Sequence, residues 1–139
     1  MSSDDIDECI SALAPWDVIW PFDKYLDWPH WKMWVCLSKE HLGFLRINTK
    51  RYTKNCVPLS KKLHPWLIYD SFLGCGGDLV AMLSELELKE CLEEQKRPER
   101  RNIIGSINPT ARAAVRSQIQ LSDYLPDQQK EIISEKLAD

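Results

Sequence analysis

Lys32-Met33-Trp34-Val35-Cys36-Leu37-Ser38, followed by Lys39-Glu40-His41-Leu42-Gly43 and then Phe44-Leu45-Arg46-Ile47-Asn48-Thr49, is the stretch on which the fold turns. The two outer segments are apolar and strand-prone, and the polar segment between them ends in glycine, so the pattern predicts a β-hairpin with a five-residue loop. A strand alternates its faces. Leu45 and Ile47 therefore share one side, and Arg46 and Asn48 share the other.

Downstream, a basic loop from Lys50 to Asn55 leads to a third strand, Cys56-Val57-Pro58-Leu59. Proline cannot donate to a ladder, which confines this strand to an edge or an end. Trp66-Leu67-Ile68-Tyr69-Asp70-Ser71-Phe72-Leu73 predicts a fourth strand, stopped by Gly74 and the pair Gly76-Gly77. Trp34, Leu37, Leu45, Ile47, Leu67 and Ile68 are the expected core, with Arg46 at least partly exposed. The period then changes. Asp78 caps an expected helix over 78–94, in which Leu79, Met82, Leu83, Leu86 and Leu92 follow helical spacing with acids opposite. After a charged loop from Gln95 to Asn102, Ile103–Ile107 predicts a last short strand. Asn108-Pro109 is an N-cap followed by a first-turn proline, opening a helix to about Leu121. A final helix is expected from Pro126 to about Leu137. The fold class is α+β: a small curled antiparallel sheet with an inserted helix and C-terminal helices.

Upstream, Ser2 or Ser3 caps a helix with an acidic first turn, and Ile6, Ile10 and Leu13 recur on one face until Pro15 ends it. Trp16–Trp34 holds five of the six tryptophans, interrupted by Pro21 and Pro29. This composition reads as an irregular aromatic arm lying over the core or a partner surface. The domain organisation expected is an acidic, tryptophan-rich arm over 1–31 and a sheet-plus-helices domain over 32–139.

The 139-residue chain has the size of one domain, and its 44% hydrophobic and 28% charged content is ordinary for a globular protein. No apolar run nears the roughly 18 residues of a membrane span. The acidic N-terminal residues lack the layout of a secretory signal, so a cytoplasmic location without membrane association is expected. The five cysteines are scattered with no C-x-x-C pair, and the three histidines supply no zinc half-site. Free thiols, no metal and no cofactor are the expectation. The net charge of −3 conceals segregation. Residues 32–62 carry eight bases against Glu40 alone, between acidic flanks. Such a field either attracts polyanions or pairs with the protein's own acidic flanks.

No phosphate-binding loop, nucleophile elbow, H-E-x-x-H or dinucleotide fingerprint occurs. Gly74-Cys75-Gly76-Gly77 lacks the lysine-hydroxyl partner of a phosphate loop and precedes Asp78, so it reads as a plain turn. The combination that suggests chemistry is the basic hairpin. Cleaving RNA without a metal needs a base for the 2′-hydroxyl proton, an acid for the leaving oxygen and a cation for the charge on phosphorus. His41 with Glu40, Arg46 with Asn48, and Asp70 with Ser71 supply these types. His41, Arg46 and Asp70 form the candidate catalytic set. Lys39, Asn48, Lys50, Arg51, Lys54, Lys61 and Lys62 form the candidate RNA-binding set.

The order of elements resembles the MazF/PemK family of toxin endoribonucleases. The hairpin from Trp34 to Thr49 stands where that family has its first hairpin. Val57-Pro58-Leu59-Ser60 is similar to its Pro-x-(Thr/Ser) segment, which adds Ser60 to the RNA-binding candidates. His64–Ser71 resembles the segment leading into its Asp, and Ile104-Gly105-Ser106-Ile107-Asn108 resembles its last strand. The resemblance covers roughly 32–125. It implies an SH3-like barrel, RNA as substrate, no cofactor, an antitoxin or other protein partner, and room for a homodimer. The family's Arg-Pro at the start of the second strand is replaced here by Gly43-Phe44. A non-catalytic interaction or regulatory module of the same fold therefore stands beside the nuclease as the alternative.

Overall fold

The computed structural model describes residues 3–40, 42–51, 54–75, 79–80 and 83–121. His41, Asp78, Met82, the Gly76-Gly77 pair and the helix expected over 126–137 lie outside the described residues. In chain order the elements begin with α1 (Ser3–Ala12), β1 (Asp17–Ile19), β2 (Phe22–Asp23) and β3 (His30–Trp31). The expected hairpin follows as β4 (Trp34–Ser38) and β5 (Gly43–Asn48), then β6 (Cys56–Leu59), β7 (Ser71–Gly74) and β8 (Leu79–Val80). The last described elements are α2 (Glu85–Glu93), a 3₁₀ turn (Pro98–Arg100), β9 (Gly105–Ser106) and α3 (Pro109–Leu121).

Seven strands form one curled, antiparallel sheet in the order β6-β7-β5-β4-β1-β9, with β8 joined to β5. β4 takes one edge of β5. The other edge is shared: β8 pairs at Phe44 and Leu45, and β7 pairs at Ile47 and Asn48. β6 is an edge strand, as Pro58 requires, and α3 packs against it. The fold is α+β, with three helices among the described residues.

Every residue of β4 is buried, because both faces of the sheet are covered. Val35, Leu37, Leu45 and Ile47 point into a cluster closed by Val115 and Ile119 of α3. Trp34, Cys36 and Phe44 alternate with them and point into a second cluster, closed by Ile6 and Ile10 of α1 and Leu88 and Leu92 of α2. The strict alternation assigns each strand residue to one cluster. Trp34, Leu37, Leu45, Ile47 and Leu67 are buried as expected.

Three expectations need correction. Asp17–Ile19 is no irregular arm: it is a sheet strand between β4 and β9, with Val18 opposite Val35 and Gly105. A three-residue strand leaves too short a pattern to be read against its prolines and tryptophans. The fourth strand starts at Ser71, not Trp66. Residues 60–70 form a closed loop instead, in which Lys61 N donates to Asp70 Oδ1 at 2.7 Å and His64 N donates to Ser60 O at 3.0 Å. Ile68 is exposed as a result. Finally, the helix expected over 78–94 begins at Glu85, and Leu79–Val80 pairs with β5. Its true start is a capping box: Ser84 Oγ accepts from Glu87 N at 3.1 Å, and Glu87 Oε1 accepts from Ser84 N at 3.0 Å. That start aims Leu88, Cys91 and Leu92 inward and leaves Leu86 exposed.

Candidate functional site

Where the N-terminal end of β4 meets the C-terminal end of β5, the sheet opens into a groove of about 220 Å³. Its floor is apolar and contains Met33, Ile47 and Leu67. The strands meet tightly there, with Ile47 N donating to Met33 O at 3.0 Å. Trp20, Trp31 and Tyr69 supply aromatic walls, and His30, Lys32, Asn48, Thr49 and Ser71 supply polar groups. Tyr69 is 66% exposed and Trp31 40% exposed, so ring surface is open to solvent at the mouth.

Each wall is anchored. Trp31 Nε1 donates to Glu94 O at 3.1 Å, and Phe22 meets the same ring edge-on at 5.3 Å between centroids. Gln95 Nε2 donates to Trp20 O, and the Arg100 guanidinium lies 3.7 Å from the centre of the Trp20 ring. Ser71 Oγ donates to Tyr69 O at 2.8 Å. His30 Nδ1 meets Trp28 O at 2.6 Å. A carbonyl only accepts, so Nδ1 carries a proton, and the neutral ring then keeps Nε2 as an acceptor. That is the tautomer a proton-abstracting histidine needs.

The basic segment borders this groove. Lys32 lines it, and Lys61 Nζ donates to the carbonyl of Ile68, another lining residue, at 3.3 Å. Lys50 and Arg51 are exposed directly after Thr49, and Lys54 and Lys62 are exposed nearby in sequence. Arg51 donates to Lys54 O at 3.5 Å. Asn48 is buried in the groove's polar lining. Ser60 Oγ accepts from Leu63 N at 3.3 Å, an assignment to the turn around His64. Lys39 stands at the opposite end of the hairpin, where its Nζ donates to Ser11 O.

The three catalytic candidates are not brought together among the described residues. His41 is outside them. Asp70 is exposed and closes its own loop on Lys61 N. Arg46 points to the sheet face opposite Ile47, where Nε donates to Asp23 Oδ2 at 2.7 Å and Nη2 to Oδ1 at 3.4 Å. Asp23 is fully buried and the Arg46 side chain is 11% exposed. The same carboxylate also accepts from Trp34 Nε1 at 2.9 Å and Tyr25 N at 3.1 Å. Arg46 is thus a joint between β5 and the β2–β3 hairpin.

Other titratable groups are tuned by burial. The thiols of Cys9 and Cys36 are pushed up to about 11 and about 12, chiefly by desolvation and then by the nearby Asp17 carboxylate. Burial also raises the Tyr25 hydroxyl, which donates to Glu87 Oε2 at 3.3 Å. Protonated, buried thiols make poor nucleophiles. Among the described residues no group of three or more His, Cys, Asp or Glu is arranged to hold a metal ion.

The sequence reading missed His30, Lys32, Trp20, Trp31 and Tyr69. The available signal was Pro29-His30-Trp31-Lys32, an imidazole and an ammonium either side of an aromatic ring at the foot of β4. No family model, curated protein or solved structure matches this chain.

Proposed function

We propose that this protein binds single-stranded RNA in the groove and cleaves it without a metal ion, as a cytoplasmic toxin-like endoribonuclease of a toxin–antitoxin or defence system. The observation that carries this reading is one groove holding three aromatic walls, an imidazole and bordering cations. Unpaired bases stack on exposed aromatic rings while cations track the phosphates, which is how single strands are held without reading their sequence. In this reading the curled sheet is an SH3-like barrel. His30 Nε2 takes the 2′-hydroxyl proton, O2′ attacks phosphorus, and the bond to O5′ breaks, with the leaving oxygen taking a proton from solvent. Lys32 offsets the charge that builds on phosphorus. Arg46 and Asp70 leave the catalytic set.

A second reading, a protein-interaction module with an antitoxin or other partner, is favoured by Trp28. This side chain is 85% exposed. It sits on a loop held by Lys24 to Glu90 at 3.1 Å and Tyr25 to Glu87 at 3.3 Å. Tryptophan is enriched among the residues that dominate binding at protein interfaces.

The test is end-labelled RNA incubated with purified protein in EDTA, wild type against His30→Gln. The expected result is cleavage leaving 2′,3′-cyclic phosphate ends, with the variant slower by about 10²-fold or more yet still binding. If the wild type neither binds nor cuts RNA at low salt, the interaction module takes its place.

A further inference from the structure

The Trp20 wall of the groove carries a cation that neither the basic segment nor the hairpin supplies. Arg100 sits with its guanidinium carbon 3.7 Å from the Trp20 ring centre, the separation of a flat stack. Its placement is built by the strap over residues 95–101. Gln95, buried, donates through Nε2 to Trp20 O and accepts through Oε1 from Arg97 N at 3.3 Å. Its backbone oxygen accepts from Arg101 Nε at 2.6 Å. The 3₁₀ turn is closed by Arg100 N donating to Arg97 O at 2.9 Å, which delivers the side chain over the ring.

Stacking engages the face of a guanidinium and leaves its edge free. Among the described residues none accepts a hydrogen bond or forms an ion pair with the Arg100 side chain. Arg100 does not itself line the groove, but it stacks on Trp20, which does. A planar cation there, with its donors unspent, is suited to a bidentate anion at the groove's rim. We propose that Arg100 is a phosphate-binding residue of the groove: a nucleotide's base lies against the aromatic walls while its phosphate takes the edge of the Arg100 guanidinium. This rests on the groove binding RNA. It adds the ligand unit, a base with an attached phosphate, and the residue that distinguishes a nucleotide from a nucleoside.

The experiment titrates adenosine and adenosine 5′-monophosphate into wild type, Arg100→Gln and Arg100→Lys, read by tryptophan fluorescence. Wild type is expected to prefer the monophosphate by about tenfold, the scale of one or two charge-assisted hydrogen bonds. Arg100→Gln is expected to lose that preference, read as the ratio of the two affinities, because any loosening of the Trp20 wall weakens both ligands alike. Arg100→Lys keeps the charge without the fork and is expected to retain part of the preference, and it carries the test should the glutamine variant fail to fold. An unchanged preference in both variants overturns the role of Arg100 and leaves the groove reading standing. Wild type that binds neither ligand, and no short single-stranded RNA either, overturns both.

Discussion

Arg46 Nε and Trp34 Nε1 converge on one oxygen of Asp23, at 2.7 and 2.9 Å. Because Trp34 and Arg46 are cross-strand partners in β4 and β5, a single buried carboxylate ties that strand pair to the hairpin carrying His30 and Trp31. The groove's shape therefore depends on a network on the far face of the sheet.

Removing either charge leaves the other buried and unpaired. Asp23→Ala and Arg46→Ala are each expected to cost about 3–5 kcal/mol in urea unfolding. The double variant is expected to cost clearly less than the sum of the two. An Arg46→Ala protein of undiminished stability that had lost RNA cleavage would return Arg46 to the catalytic set.

Gly105 has no room for a side chain. A Cβ there falls 2.2 Å from Trp66 Cδ1, and the Trp66 ring is itself held edge-on to His64 at 5.5 Å. Gly105→Ala is expected to destabilise the protein by about 1–3 kcal/mol through overpacking. In a Trp66→Ala background the same change is expected to be nearly neutral, which denaturant titration of the four proteins will show.

Thiol chemistry gives an independent check on the packing. Cys9, Cys36, Cys75 and Cys91 are buried, and Cys56 is partly exposed. With Cys9 held near 11 and Cys36 near 12, their thiolates are scarce at neutral pH. Native protein treated with a maleimide at pH 7 is expected to label Cys56 first, as peptide mapping resolves. Rapid labelling of Cys36 would contradict the two-sided burial of β4.

The start of α2 predicts a pH dependence. Hydrogen bonds from the Ser84 backbone and side chain hold the Glu87 carboxyl below its usual 4.5. A depressed carboxyl adds stability above its unfolded value and loses it as pH falls through the folded one. The melting temperature of wild type relative to Glu87→Gln is therefore expected to be highest near neutrality. The difference is expected to shrink on acidification below about pH 4.5. A difference independent of pH would remove the charge from the cap.

The hairpin was legible because apolar alternation and a polar five-residue loop are strong local signals, and α3 was legible because Asn108-Pro109 is a strong start signal. What stayed hidden is mostly non-local. Asp17–Ile19 becomes a strand only because β4 and β9 flank it, and nothing in three residues announces that. Ile68 and Tyr69 look like strand residues, yet His64 and Asp70 close the loop that turns them out to solvent. The α2 start was written in Ser84-Glu85-Leu86-Glu87, but the glycine run before Asp78 drew the boundary too early. Arg46 was placed correctly on its strand face. Its buried partner, 23 residues away, could not be read from that position.

The most direct test of the groove is Tyr69→Ala. This ring lines the groove, is largely exposed, and its loss should leave the fold intact. The measurement is titration of a short single-stranded RNA by fluorescence anisotropy at two salt concentrations, with the unfolding midpoint as control. The account predicts a loss of about 1–3 kcal/mol in binding, the value of one base–aromatic stack, at unchanged stability and with steep salt dependence in both proteins. Equal affinity for the two proteins, or no binding by wild type at low salt, would contradict it.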